Sequence, residues 1–204
     1  FTASIGSFVN TNTVSDEYRC FVIPTSFGVD KYISDIGIIP GNREIVHHVV
    51  IFQDANSTCY SLDTATAELG YSSFGGTGSS TSKTIGGYVP GTQPQHFPNG
   101  MGMKLDANAY IILQIHYPQG SDGLMDSSRI NLTFASGATR ELSFSAVLSD
   151  PGNITPPLLN PPNTVMSFTE SYTIPSFTAG PDFVTILSVI PHMHLVGKSI
   201  ICYA

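Results

Sequence analysis

The apolar positions of this chain fall in short runs separated by turn residues, the pattern of a β protein rather than a helical one. Residues 18–24 read as a short strand, and 35–39 as another, closed by the turn Pro40-Gly41-Asn42. Residues 44–52 form a longer, nearly unbroken apolar run rich in β-branched side chains, which predicts a buried strand carrying His47 and His48. A helical turn is predicted at 63–67. The Gly/Ser/Thr-rich stretch 71–83 reads as a surface loop, and 87–97 as turn-rich. The strongest strand signal is 109–117, which carries His116, and 129–135 and 141–148 follow as strands. Five prolines between residues 150 and 163 mark a linker, after which strand character resumes at 165–174, 183–190 and 199–204.

This pattern predicts an all-β protein organised as an antiparallel β-sandwich over 1–150, a Pro-rich linker over 151–163, and the truncated start of a second β-sandwich over 164–204. Roughly 40 residues past the linker are marginal for a core of their own, so the second unit either packs on the first or begins a longer structure.

Composition sharpens the picture. Of 204 residues, 41% are hydrophobic and only 11% charged, with 19 Gly and 14 Pro, a mix that suits strands and turns better than helices. A net charge of −7 with 8 Lys plus Arg offers no basic stripe for phosphates and argues against nucleic-acid binding. No apolar run approaches the roughly 18 residues of a membrane helix, so no transmembrane segment is expected. Residues 1–10 lack leader character, and any secretory leader is expected to have been removed already. Gly75, Gly76 and Gly78 have neither a preceding strand nor a following helix, which rejects a phosphate loop.

Cys20, Cys59 and Cys202 allow one bridge and leave one thiol over. Cys20–Cys59 is the favoured pair because both lie early in the chain, with three reduced thiols as the alternative. The sequons at Asn56, Asn131 and Asn153 suit a secreted, extracellular or periplasmic glycoprotein, and also arise by chance in a chain so rich in Ser and Thr.

Six histidines carry the candidate chemistry: His47, His48, His96, His116, His192 and His194. All but His96 lie in or at the end of apolar runs, where an unpartnered imidazole costs about 1–3 kcal/mol. A shared metal ion accounts for such placements economically, with core histidines bonded to backbone as the alternative. His192 and His194, at i and i+2, share one strand face. His47 and His48 are adjacent and can reach one ion only if the strand is bulged or ends there, so a local irregularity is predicted at the doublet. His116, on a separate strand, could complete a three-imidazole site. Imidazole suits zinc, copper, iron and nickel alike, and the absence of HExxH excludes the common zinc-protease geometry. His96, in a Gln/Pro-rich turn, reads as a surface histidine.

Four blocks, in order, resemble one family. Ile39-Pro40-Gly41-Asn42-Arg43-Glu44-Ile45-Val46-His47-His48-Val49-Val50-Ile51-Phe52 resembles the paired-histidine strand of the copper type II, ascorbate-dependent monooxygenases, the family of peptidylglycine α-hydroxylating and dopamine β-monooxygenases. Gly87-Tyr88-Val89-Pro90-Gly91 with Phe97-Pro98-Asn99-Gly100-Met101-Gly102 resembles its next block, Leu113-Gln114-Ile115-His116-Tyr117 its LQxHY strand, and Pro191-His192-Met193-His194-Leu195-Val196-Gly197-Lys198 its HxH motif. The likeness spans roughly 16–204 and is nearer in wording to microbial members.

The resemblance implies two jelly-roll-like sandwiches facing each other across a cleft. By it, His47, His48 and His116 hold an electron-transfer copper, His192 and His194 hold the copper where O2 binds, and Gln114 lies on the electron path. It also supports a bridge from Cys20, through Tyr18-Arg19-Cys20. The implied reaction hydroxylates a C–H bond with O2, two electrons coming from ascorbate. Two departures matter. The family's methionine ligand at the second site falls past residue 204, and Met193 on a strand points away from its neighbours, so a missing carboxy-terminal domain or another chain would complete that site. Ile190 stands where peptide-hydroxylating members carry Arg, so an amidated-peptide substrate is not expected, and the substrate, small molecule or peptide, stays open. The competing readings are a non-catalytic copper-binding or assembly module of the same ancestry, and a sugar-binding jelly roll, which the lack of any Trp disfavours.

Overall fold

The structure, a computed structural model, describes residues 1–137, 139–144, 161–169, 171, 185–189 and 197–203. The chain divides into two units, Phe1–Ser145 and Ala146–Ala204. All regular structure among the described residues belongs to the first. The described residues from 161 onward carry no strand, and the remainder of the segments read as strands there lies outside the described residues.

In chain order the elements are β1 (Thr2–Ser4), β2 (Phe8–Val9), β3 (Glu17–Pro24), β4 (Lys31–Ile39), β5 (His48–Asp54), α1 (Thr58–Thr64), β6 (Tyr71–Ser72), β7 (Lys83–Tyr88), β8 (Gln95–His96), β9 (Met101–Leu105), β10 (Tyr110–Tyr117), β11 (Met125–Asp126), β12 (Arg129–Phe134) and β13 (Arg140–Leu142). One sheet runs β6-β3-β10-β5-β7 and is antiparallel throughout. The other runs β1-β12-β4-β9-β13, with β8 also on β4 and a parallel pairing only between β13 and β9. A short β11–β2 ribbon completes the set. This is the all-β sandwich that the apolar pattern predicts.

The two sheets share one core. Phe21 and Ile23 of β3, Val49 and Ile51 of β5, and Ile111, Leu113 and Ile115 of β10 pack with Ile33 and Ile36 of β4, Leu105 of β9, and Ile130 and Leu132 of β12. Period-two alternation sends the other residues of β10, Ile112, Gln114 and His116, to the outer face of its sheet. Ile112 packs there with Cys20, Cys59 and Tyr71 in a second, smaller cluster. Because both faces are covered, every residue from Ile111 to Tyr117 is buried, and the sequence shows a continuous apolar run instead of an alternating one.

The turn ahead of β5 is clamped to the β11–β12 connection. Gly41 N–H donates to Ser128 Oγ at 3.2 Å, and Asn42 N–H to Asp126 Oδ1 at 2.9 Å. The approach is so close that a Cβ on Gly41 would lie 2.3 Å from the Ser127 amide nitrogen. Gly41→Ala is therefore expected to cost about 3 kcal/mol by forcing backbone apart. Urea melts of the two proteins check this; equal midpoints would show that the turn yields freely.

The small outer cluster has its own pH signature. Burial pushes the Cys20 thiol from 9.0 up to about 12 and raises Cys59 and Tyr71 with it, as it also raises Tyr117 in the main core. All four are neutral when protonated. Their contribution to stability is complete below the ordinary thiol value and declines as pH rises above it, since the unfolded chain releases protons that the folded chain retains. Cys20 alone is expected to cost about 1 kcal/mol of stability by about pH 10, read as a fall in urea midpoint relative to about pH 8. A flat profile over that range would contradict it.

Candidate metal centre

The three central strands of the antiparallel sheet bring the site together. In their register His116 of β10 lies directly opposite Tyr18 of β3 on one side and His48 of β5 on the other. All three side chains project from the outer face. His47 is not part of the strand: residues 43–45 form a turn and β5 begins at His48. His47 N–H nevertheless donates to the His116 carbonyl at 3.0 Å, which holds it against the end of β10. Leaving the pleat at this point lets two consecutive side chains turn toward one spot, the irregularity that an adjacent pair needs.

His47, His48 and His116 consequently form a cluster that could hold a metal ion, with one ring nitrogen of each within 4.8 Å of the others. The Nδ1 atoms converge: His47 to His48 is 3.2 Å, and His47 to His116 is 3.2 Å. Two nitrogens bound to one ion at about 2.0–2.1 Å with tetrahedral angles stand about 3.3 Å apart, so the spacing fits a shared ion. The rings are inclined by 57–69° to one another, fanned rather than stacked. Burial grades across the site, from buried His116 through half-buried His48 to exposed His47, so the cluster opens to solvent on one side.

His116 is constrained from two further directions. The Tyr18 ring lies parallel to it, with centroids 4.3 Å apart and planes within 3°. Asp16 Oδ2 stands 3.0 Å from His116 Nε2, the nitrogen away from the cluster. Asp16 Oδ1 accepts the Gln119 backbone N–H at 2.8 Å. That amide bond, reinforced by the His116 contact, holds the Asp16 carboxyl below its usual range. Asp16 was not among the residues singled out by spacing. It lies 100 positions from His116 in the chain, and only the β3–β10 register reveals that the residue two before Tyr18 flanks the same ring.

A groove of about 630 Å³ runs beside the cluster, lined by Asp16, Tyr18, Ser73, Phe74 and Gln119 among others. Phe74 is 83% exposed and meets Tyr18 edge-on at 4.9 Å. Beneath it, buried Glu17 accepts hydrogen bonds from Ser72 and Asn12 and pairs with Arg19, whose guanidinium also reaches Glu68.

Gln114 is buried on the same outer face, two residues before His116. Its amide donates to the Ser73 carbonyl at 2.8 Å and to the Gly76 carbonyl at 2.7 Å, which ties the glycine-rich loop onto the sheet. Cys20 and Cys59 are brought into one buried cluster but stand as free thiols, with no bond joining them, and Cys202 is exposed and free. His96 stays outside the histidine cluster, on the surface and paired with Asp35. His192 and His194 lie outside the described residues. No protein-family model matches the chain, and no curated protein matches it.

Proposed function

We propose that this chain belongs to a copper- and ascorbate-dependent monooxygenase that hydroxylates a C–H bond with O2, and that His47, His48 and His116 form its electron-storing copper site. The observation that carries the reading is the convergence of three imidazoles on one face of the sheet, with His47 Nδ1 3.2 Å from both His48 Nδ1 and His116 Nδ1 and all three ligand atoms within 4.8 Å of one another. Bound there, copper supplies a one-electron Cu(I)/Cu(II) store that can be refilled by ascorbate. An all-imidazole set accommodates both oxidation states without a thiolate to fix one of them.

The protein's own contribution is orientation. β10 fixes His116 at the centre of the sheet, the β5 register fixes His48 beside it, and the clamped turn at Gly41 and Asn42 delivers His47. The exposed side of the cluster leaves room for the reductant. In this reading His192 and His194 belong to the second copper, where O2 is used, and Gln114 lies along the route between the two. The substrate is a small molecule or a peptide, and the protein works in an oxidising compartment outside the cytoplasm.

Copper titration followed by paramagnetic resonance tests the proposal. The expected result is one tightly held Cu(II) assigned to the three imidazoles, a signal that ascorbate abolishes, and ascorbate-dependent oxygen uptake by the full protein. Copper that is bound but neither reduced by ascorbate nor coupled to oxygen uptake would leave a metal-holding assembly module in place of an enzyme.

A further inference from the structure

We infer that Asp16 is a positioning residue for the metal centre: it fixes the His116 ring as an Nδ1 donor and thereby sets how tightly the cluster holds its ion. The inference rests on the metal reading above and goes beyond it, since it concerns a residue that touches a ligand rather than the ion.

The argument starts from imidazole itself. A neutral ring carries its proton on one nitrogen and a lone pair on the other, and only the lone pair can bind a metal. Which nitrogen holds the proton is decided by the partner opposite. At His116 the partner of Nε2 is the Asp16 carboxylate, at 3.0 Å. A carboxylate accepts and does not donate, so Nε2 carries the proton and Nδ1 is left with the lone pair. Nδ1 is also the atom that stands 3.2 Å from His47 Nδ1, inside the cluster. The two contacts therefore agree on one tautomer.

Asp16 is itself held in place. Its Oδ1 accepts the Gln119 amide at 2.8 Å, which leaves Oδ2 directed at the ring. The parallel Tyr18 ring at 4.3 Å prevents His116 from swinging about its χ angles. Tyr18 thus fixes the ring's plane and rotation, and Asp16, itself held by Gln119, fixes the position of its proton. A carboxylate behind an imidazole also makes the ligand more basic, so it favours the more highly charged state of a redox metal.

Three proteins, titrated with Cu(II) alone against a competing chelator, test the inference: the unaltered chain, Asp16→Ala and Asp16→Asn. Asp16→Ala is expected to weaken copper binding between about ten- and a hundredfold, and to shift both the hyperfine coupling and the midpoint potential, the latter upward. Asp16→Asn retains an acceptor oxygen without the charge. It is expected to recover much of the affinity while keeping a raised potential. Urea midpoints of the metal-free proteins separate this from a general loss of structure, since a merely structural Asp16 would lower those midpoints without moving potential or hyperfine coupling. If the unaltered chain binds copper and Asp16→Ala matches it in affinity, spectrum and potential, this inference fails and the metal site stands. If the unaltered chain takes up no copper, the metal reading fails and this inference with it.

Discussion

Replacing His47 by alanine is expected to weaken metal binding roughly a hundredfold or more while leaving the metal-free fold intact. The ring is exposed and lies ahead of β5, so little packing depends on it. Its place in the cluster is nevertheless one third of the donor set. Structural metal sites release about 10–16 kcal/mol on binding, shared among four ligands, so one ligand accounts for about 3 kcal/mol or more, a loss of roughly 10²-fold or greater in affinity. His116→Ala should lose as much affinity and also destabilise the metal-free chain by about 1–3 kcal/mol, because a buried ring stacked on Tyr18 is deleted. The pair of variants thus separates donation from packing. Calorimetric titration with copper, alongside urea melts of the metal-free proteins, reads both quantities. Wild-type affinity in both variants would dissolve the cluster as a ligand set.

The largest effect on stability is expected at a residue that touches no candidate ligand. Asp126 is almost wholly buried and accepts from three groups: the Tyr117 hydroxyl at 2.8 Å, the Ser128 hydroxyl at 2.8 Å, and the Asn42 N–H at 2.9 Å. Asp126→Ala leaves all three donors without that acceptor, at about 1–3 kcal/mol each, partly offset by no longer burying a charge. The net cost is expected to be about 4 kcal/mol, or roughly 10 °C in melting temperature for a unit of this size. Asp126→Asn keeps an acceptor oxygen and should cost less. Since Asn42 begins the turn that presents His47, Asp126→Ala should also weaken metal binding. A melting temperature within a degree or two of the unaltered protein would mean that the three donors find other partners.

The strands richest in β-branched residues were legible in the sequence, and so was the site they carry. The run holding His116 could hardly be anything but a strand, and the pairing of an adjacent histidine doublet with a break in the pleat followed from side-chain alternation. Strands rich in glycine were hidden. Residues 83–88 and 101–105 form β7 and β9, although neither segment reads as a strand in the sequence and Gly87 falls in the stretch that reads as turn-rich. The structure gives the reason: a Cβ at Gly86 would lie 3.2 Å from the Ile36 side chain, and one at Gly102 would lie 2.9 Å from the Ile33 carbonyl. Glycine there serves close approach within the sandwich, not chain reversal. The helix was misplaced for another reason. Asp54 accepts the Cys59 N–H at 2.7 Å and anchors the first turn, so α1 covers Thr58–Thr64 and not 63–67. Contacts made across a hundred positions, such as that of Asp16 with His116, leave no trace in local spacing.

The alignment of His48 directly across from His116 has a further consequence. Side chains alternate with a period of two, so sliding β5 by a single residue along β10 would turn His48 inward and bring Val49 to the outer face. A chain zipped one notch out of step could not assemble the three nitrogens. Metal uptake by the cluster, where it occurs, would therefore report directly on whether β5 and β10 are paired in this register.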